Sequence, residues 1–188
     1  MTINLIKGGN ANLTKEFGQL DKIIVQISWD INTKDKKFDL DVGAFLLTEN
    51  GKVRNDLDFI FYNCLKEQKD SCVIHQWNDI KEVVTKESFI VSFPKIPNEI
   101  VRIPFSLTIY NGAKRKQTFS SLKNACIKII DKDSGTELIQ YNFEDSNENI
   151  SSLIFAELYR HNGDWKFKAI GQGFIKGMKD LEQLYGVD

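Results

Sequence analysis

The chain has 188 residues, 41% of them hydrophobic and 27% charged, with 25 basic and 26 acidic side chains and a formal net charge of -1. A chain of this length buries close to ~70% of its unfolded surface around one core without staples, so a single domain spanning residues 1–188 is expected. Balanced charge supplies no field to hold nucleic acid or an anionic membrane, no apolar run approaches the ~18 residues of a membrane span, and Cys64, Cys72 and Cys126 have no paired spacing.

The first residues, Met1 to Gly9, lack an apolar stretch long enough for a signal peptide, which predicts a cytoplasmic protein. Leu5 to Leu13 reads as two short strands around Gly8-Gly9. No Lys-Ser or Lys-Thr follows at phosphate-loop spacing, so the glycines mark a turn. From Lys22 to Trp29 the apolar residues Ile23, Val25, Ile27 and Trp29 fall at every second position, the pattern of a half-buried strand ending at Asp30. The polar, basic residues 31–37 then connect to an acidic stretch.

That stretch runs from Phe38 to Leu47, turns at Glu49-Asn50-Gly51-Lys52 and returns from Val53 to Asn63. Asn-Gly between two runs rich in aromatic and β-branched residues is a strong hairpin signal. Side chains alternate along a strand, so Asp39 and Asp41 share one face, as do Asp56 and Asp58. In a register that sets Glu49 opposite Lys52, all four lie on the same face. Like charges across a strand pair are destabilising, and two carboxylates about 4 Å apart repel by roughly 1 kcal/mol even in water. Open solvent, protonation of one member or a bound cation would each offset this. Hard cations such as Ca²⁺ take about six to eight oxygen ligands, and Asn55 and Asn63 flank the second pair. Spacing alone leaves strand-end residues pointing into water as an equal reading.

Residues 65–87 are polar and read as a loop with short strands, holding Cys72, His75, Trp77, Asn78 and Asp79. Cys72 and His75 make half a zinc site at most, because structural zinc needs four ligands and the chain has only two histidines. Ser88 to Phe93 and Val101 to Tyr110 are predicted strands, with Pro104 marking an edge or bulge. Asn111 to Lys116 is an exposed turn with three basic residues. Cys126 to Ile130 and Glu137 to Phe143 are strands joined through Asp131 to Thr136, where an Asp-x-Asp spacing lacks the glutamate that an EF-hand loop requires. Ser151 to Arg160 follows, with Leu153, Phe155 and Glu157 on one side. A second hairpin signal, Asn162-Gly163, leads to Trp165 through Gly171, in which Trp165, Phe167 and Ala169 alternate with lysines. Only Gly177 to Tyr185 has helical spacing, through Met178, Leu181, Leu184 and Tyr185. Many short strands, regular turns and one late helix predict an all-β sandwich of two mainly antiparallel sheets with a short C-terminal helix.

Several of these segments together resemble the TerD family of tellurium-resistance and stress proteins. They are Lys7-Gly8-Gly9-Asn10, Trp29-Asp30, the Phe38 to Leu47 strand, Gly51-Lys52-Val53, Asp56 to Asn63, Ile109-Tyr110, Arg115 with Gln117 and Phe119, Asn124-Ala125, Glu157 to His161, Trp165-Lys166-Phe167 and Gly171-Gln172-Gly173. The resemblance implies a calcium-binding β-sandwich of the bacterial cytoplasm, associated with resistance to tellurite and other stresses and without catalytic activity. It implies that Asp39, Asp41, Asp56 and Asp58 belong to an acidic metal cluster, with Asp30 and Asn63 close by. The partners it implies are a calcium ion and other tellurium-resistance or stress proteins.

One departure matters. The family carries a second acidic segment of the form Gly-Asp-Asn-x-Thr-Gly followed by Gly-Asp-Asp-Glu, whereas this chain has His75 to Glu82 there and no glycine between Gly51 and Gly112. Cys64 also replaces the second Asn of the family's pair after Tyr62. Affinity at EF-hand sites rises with the number of charged ligands, so metal binding is expected to be weakened or lost. Two readings stay open: a calcium-binding module with a partly degenerate site, and a metal-free protein-interaction module that uses Trp77 and the Lys114 to Lys116 turn. Paired carboxylates can do acid–base chemistry, but no nucleophile elbow, Walker loop or metalloprotease helix is present, and His161 reads as a hairpin corner, so an enzyme is not expected.

Overall fold

The computed structural model describes residues 1–31, 38–62, 71–76, 84–144 and 149–187. Among these residues twelve strands form two six-stranded sheets. In the first, the order is β1 (Ile3–Leu5), β10 (Glu137–Asn142), β9 (Leu122–Asp131), β3 (Lys22–Ile31), β7 (Val84–Ser92) and β6 (Val73–Gln76). In the second it is β2 (Asn10–Asn12), β12 (Asp164–Phe174), β11 (Ser152–His161), β8 (Arg102–Ile109), β4 (Leu40–Phe45) and β5 (Phe59–Ile60). Neighbours are antiparallel except β1 and β10.

The predicted alternation carries the core. Ile23, Val25, Ile27 and Trp29 are at most 1% exposed and pack between the sheets with Phe89, Phe105, Leu107, Phe155 and Phe167. Burying each such side chain contributes about 1.5–3 kcal/mol. Gly8 takes φ 84° and lets the chain leave the first sheet and enter the second, so the two short strands around Gly8-Gly9 belong to different sheets.

Two details differ from the strand pattern. The ladder between β11 and both its neighbours shifts between Ile154 and Ala156. This bulge sends both Phe155 and Ala156 into the core and turns Glu157 to the outer face, where Arg102 Nε donates to it at 2.9 Å. An extra residue inverts the faces beyond it, which a strict period of two does not foresee. Pro104 sits inside an internal strand, where the pairing of β8 with β4 ends at Phe105 and resumes only as the Leu47–Arg102 bridge.

The second sheet is covered on its outer side as well. Helix α3 (Met178–Tyr185) docks there through Leu181 and Tyr185 on Phe45, Leu47, Phe59 and Ile154. Met178, Leu181 and Tyr185 keep the spacing read from the sequence, whereas Leu184 is exposed. The helix ends where Gly186, at φ 75°, donates its amide to Glu182 O at 2.7 Å, a left-handed cap that favours glycine. Two short helices, α1 (Leu13–Phe17) and α2 (Gly112–Arg115), were not foreseen. Asn12 caps the first by accepting from Lys15 N at 3.1 Å, which competes with its continuing β2. Replacing fully buried Leu181 with Ala removes the helix's main anchor. The expected cost is about 2–4 kcal/mol, read as a lower urea midpoint with an unchanged slope.

Candidate functional site

The acidic hairpin forms differently from the expected ribbon. Thr48 and Lys52 close its tip, with Thr48 N to Lys52 O at 3.0 Å and Gly51 N to Thr48 O at 2.9 Å, and only Gly51 takes a positive φ. Val53 then leaves the ribbon and donates its amide to Tyr185 O at the end of α3. Asn55 caps a 3₁₀ turn over Asp56–Asp58 by accepting from Leu57 N at 3.0 Å. The return strand begins only at Phe59, with Phe45 opposite Phe59 and Ala44 opposite Ile60. Paired numbers therefore sum to an even value, and the single face of four aspartates does not form.

Each predicted ligand has its own place. Asp58 is 4% exposed and is held by Arg54: its Oδ2 accepts from Arg54 N at 3.0 Å and Nε at 2.7 Å, and its Oδ1 accepts from Nη2 at 2.7 Å. Arg54 also pairs with Glu99. Asp56 is exposed on the same 3₁₀ turn. Asp30, beside the inward-facing Trp29, lies on the outer side of the first sheet; its Oδ2 accepts from Asn124 Nδ2 at 2.6 Å and its buried Oδ1 has no partner among the described residues. Asp39 and Asp41 lie on the outer side of the second sheet, alternating with Leu40 and Val42 in the core. Asn63 and Trp77 lie outside the described residues. Among the described residues no three His, Cys, Asp or Glu side chains are grouped so as to hold a metal ion.

Asp39 and Asp41 are the two candidates the structure keeps together. Burial pushes the Asp41 carboxyl up to about 6, helped by the negative charges of Asp39 and Glu87 and opposed by His75. Those last two residues come from the first sheet and face inward, in phase with Val73 on β6 and with Phe89 and Val91 on β7. Their side chains are 0% and 8% exposed, and His75 Nε2 lies 2.8 Å from Glu87 Oε2. The pair falls in the polar stretch read as a loop with short strands: His75 lies in the short β6, and β7 begins at Val84, four residues before the predicted strand. The Arg54–Asp58 pair was open to detection, since arginine four residues before a buried carboxylate in a tight turn is a common ion-pair spacing.

The sheet order and the covering helix define an all-β sandwich of two sheets with a short C-terminal helix. The profile of the TerD domain matches residues 1–185. The chain is 37% identical to the tellurium resistance protein TerD of Serratia marcescens over all of this chain and 99% of that protein. It is also 37% identical to general stress protein 16U of Bacillus subtilis, over all of this chain and 98% of the other. A crystal structure of a TerD homologue from Streptomyces coelicolor A3(2) superposes with a TM-score of 0.60 at 17% identity, covering 85% of this chain and 93% of that one. The chain belongs to the TerD family, whose named members are tellurium-resistance and stress proteins. Among the described residues no helix is long and apolar enough to cross a membrane.

Replacing Arg54 with Ala leaves the buried Asp58 carboxylate without its guanidinium. A loss of about 2–3 kcal/mol is expected. In a double-mutant cycle with Asp58→Ala, the two single losses should sum to more than the double, because each removes the same pair.

Proposed function

We propose that this chain is a non-enzymatic, cytoplasmic member of its family that serves stress and tellurite resistance, and that it holds one Ca²⁺ weakly at Asp39 and Asp41. What carries this reading is the placement of Asp39 and Asp41 together on the outer face at the start of β4, alternating with buried Leu40 and Val42, with burial, Asp39 and Glu87 pushing the Asp41 carboxyl up to about 6. A cation bound there favours the ionised form and relieves the repulsion. Asp58 and Glu87 are committed to Arg54 and His75, so two carboxylates with main-chain carbonyls make the donor set. That is less charge than a full acidic cluster supplies, and a dissociation constant of about 10⁻³ M is expected.

A second reading has its own support. Arg54 pairs with Asp58 and His75 hydrogen-bonds Glu87, so two of the carboxylates are engaged from within, which lets the scaffold stand without metal as a surface for protein partners. Co-purification with other tellurium-resistance or stress proteins, in metal-free form, favours it.

The pH dependence separates the two. Asp41 has a folded pKa of about 6 against an ordinary 3.8. Its protonation therefore stabilises the fold fully below about pH 4, and this contribution is lost as pH rises through about 6. In chelator, Asp41→Asn should raise the melting temperature above pH ~7 and leave it unchanged near pH ~4. The gain is about 1 kcal/mol at most, because the group is half-exposed and screened. Millimolar calcium should raise the melting temperature of the unaltered chain at neutral pH, less so near pH ~5, and not at all in Asp41→Asn. A calcium response absent at every pH rules out the metal.

A further inference from the structure

A cleft of about 440 Å³ opens on the outer face of the second sheet, beside the start of α3. Its size falls within the range of small-molecule sites, about 300–1,000 Å³. The floor is polar: Asp41 and Thr108 are register partners on β4 and β8. Thr108 is 3% exposed, and its Oγ1 has no hydrogen-bond partner among the described residues. Native folds seldom leave a buried hydroxyl so.

The walls are aromatic. Phe59 and Phe61 stack with centroids 4.5 Å apart and planes 13° apart, and Tyr62 meets Phe61 edge-on at 5.4 Å. Tyr110 lines the cleft as well. Burial and the charge of Asp41, together with Tyr110 and Asp39, push the Tyr62 hydroxyl up, which shows how closely these groups gather. The rim is basic: Lys114, Lys176 and Lys179 line it, against Glu182 as the acid. Gly177 caps α3 without a side chain, so the helix's positive end also faces this side.

The cleft thus runs from an acceptor floor, through ring faces, to a basic rim. An anion alone meets Asp41 at the floor, an amine alone leaves the lysines unanswered, and an apolar ring alone leaves Asp41 and Thr108 desolvated without partners. A molecule with an ammonium at one end and a carboxylate at the other answers all three, and ring faces attract a cation near them. We propose that this cleft binds a small aromatic zwitterion, its ammonium donating to Asp41 and Thr108 Oγ1, its ring beside Phe61, Tyr62 and Tyr110, and its carboxylate toward Lys176, Lys179 and Lys114. The inference shares Asp41 with the calcium reading but needs no metal.

Titration calorimetry of the full chain in EDTA at about pH 7.5, with 4-(aminomethyl)benzoate, benzylamine and benzoate as probes, tests it. The zwitterion should bind at least about tenfold tighter than either half-molecule. Asp41→Asn, which keeps the fold, and Thr108→Val should each weaken it by about tenfold or more. Lys176→Gln with Lys179→Gln should bring it level with benzylamine. Tyr62→Ala, at an exposed position, should weaken all ring-bearing cations. No zwitterion binding up to about 10 mM, equal binding of all three probes, or binding indifferent to Asp41→Asn overturns the proposal. A calcium-dependent melting shift without zwitterion binding overturns this inference and leaves the metal reading; zwitterion binding without a calcium shift overturns only the metal.

Discussion

Phe45 opposite Phe59 is the contact on which the outer half of this protein depends. The rings stack at 4.3 Å with planes 6° apart, and Tyr185 of α3 rests on Phe45 at 4.7 Å. Stacked aromatic pairs contribute about 0.5–1.5 kcal/mol beyond their buried area, and register matters more than that sum. A slip of one residue reverses every side chain of a strand. It would send Phe59 toward the sandwich interior, strip α3 of its docking face and move Phe61 off the wall of the cleft. Gly43 belongs to the same arrangement: a Cβ there would stand 2.8 Å from Phe59 Cε2 and 2.9 Å from Ser106 Oγ. The absence of a side chain at that position lets the ring lie flat across β4.

Around this register the protein disposes of its acids one at a time. Arg54 holds Asp58, His75 holds Glu87, Arg102 holds Glu157 and Asn124 holds one oxygen of Asp30. Buried ion pairs recover little net stability after desolvation, so their effect is to place the chain. Arg54 draws the residues after the hairpin tip into a 3₁₀ turn, and that turn starts the return strand at Phe59. Asp41 has no such partner among the described residues, and burial, with the charges of Asp39 and Glu87, raises its pKa.

The outer face of the second sheet is divided: one half is sealed by α3, and the other leaves Asp41 and Thr108 at the bottom of an aromatic cleft. The proposed ligand and the proposed cation would draw on the same Asp41 carboxylate and so compete for its charge.

Much of the sandwich was legible from residue order. Ile23 to Trp29 alternate with a period of two, Asn162-Gly163 takes positive φ at both residues of its turn, and Met178, Leu181 and Tyr185 fall at helical spacing, because these signals are local and the burial of one face enforces them. The acidic hairpin showed the limit. Its turn was readable, but whether Asp39, Asp41, Asp56 and Asp58 met depended on register, and register was decided by Phe45 on Phe59, by Arg54 on Asp58 and by Val53 leaving for the end of α3. The His75–Glu87 pair, the Phe155 bulge and the cleft over Thr108 likewise join residues far apart in the chain. Sequence by itself determined which segments alternate and where they turn; only packing between sheets and helix decided which charges share a face, because that choice rests on contacts no local pattern contains.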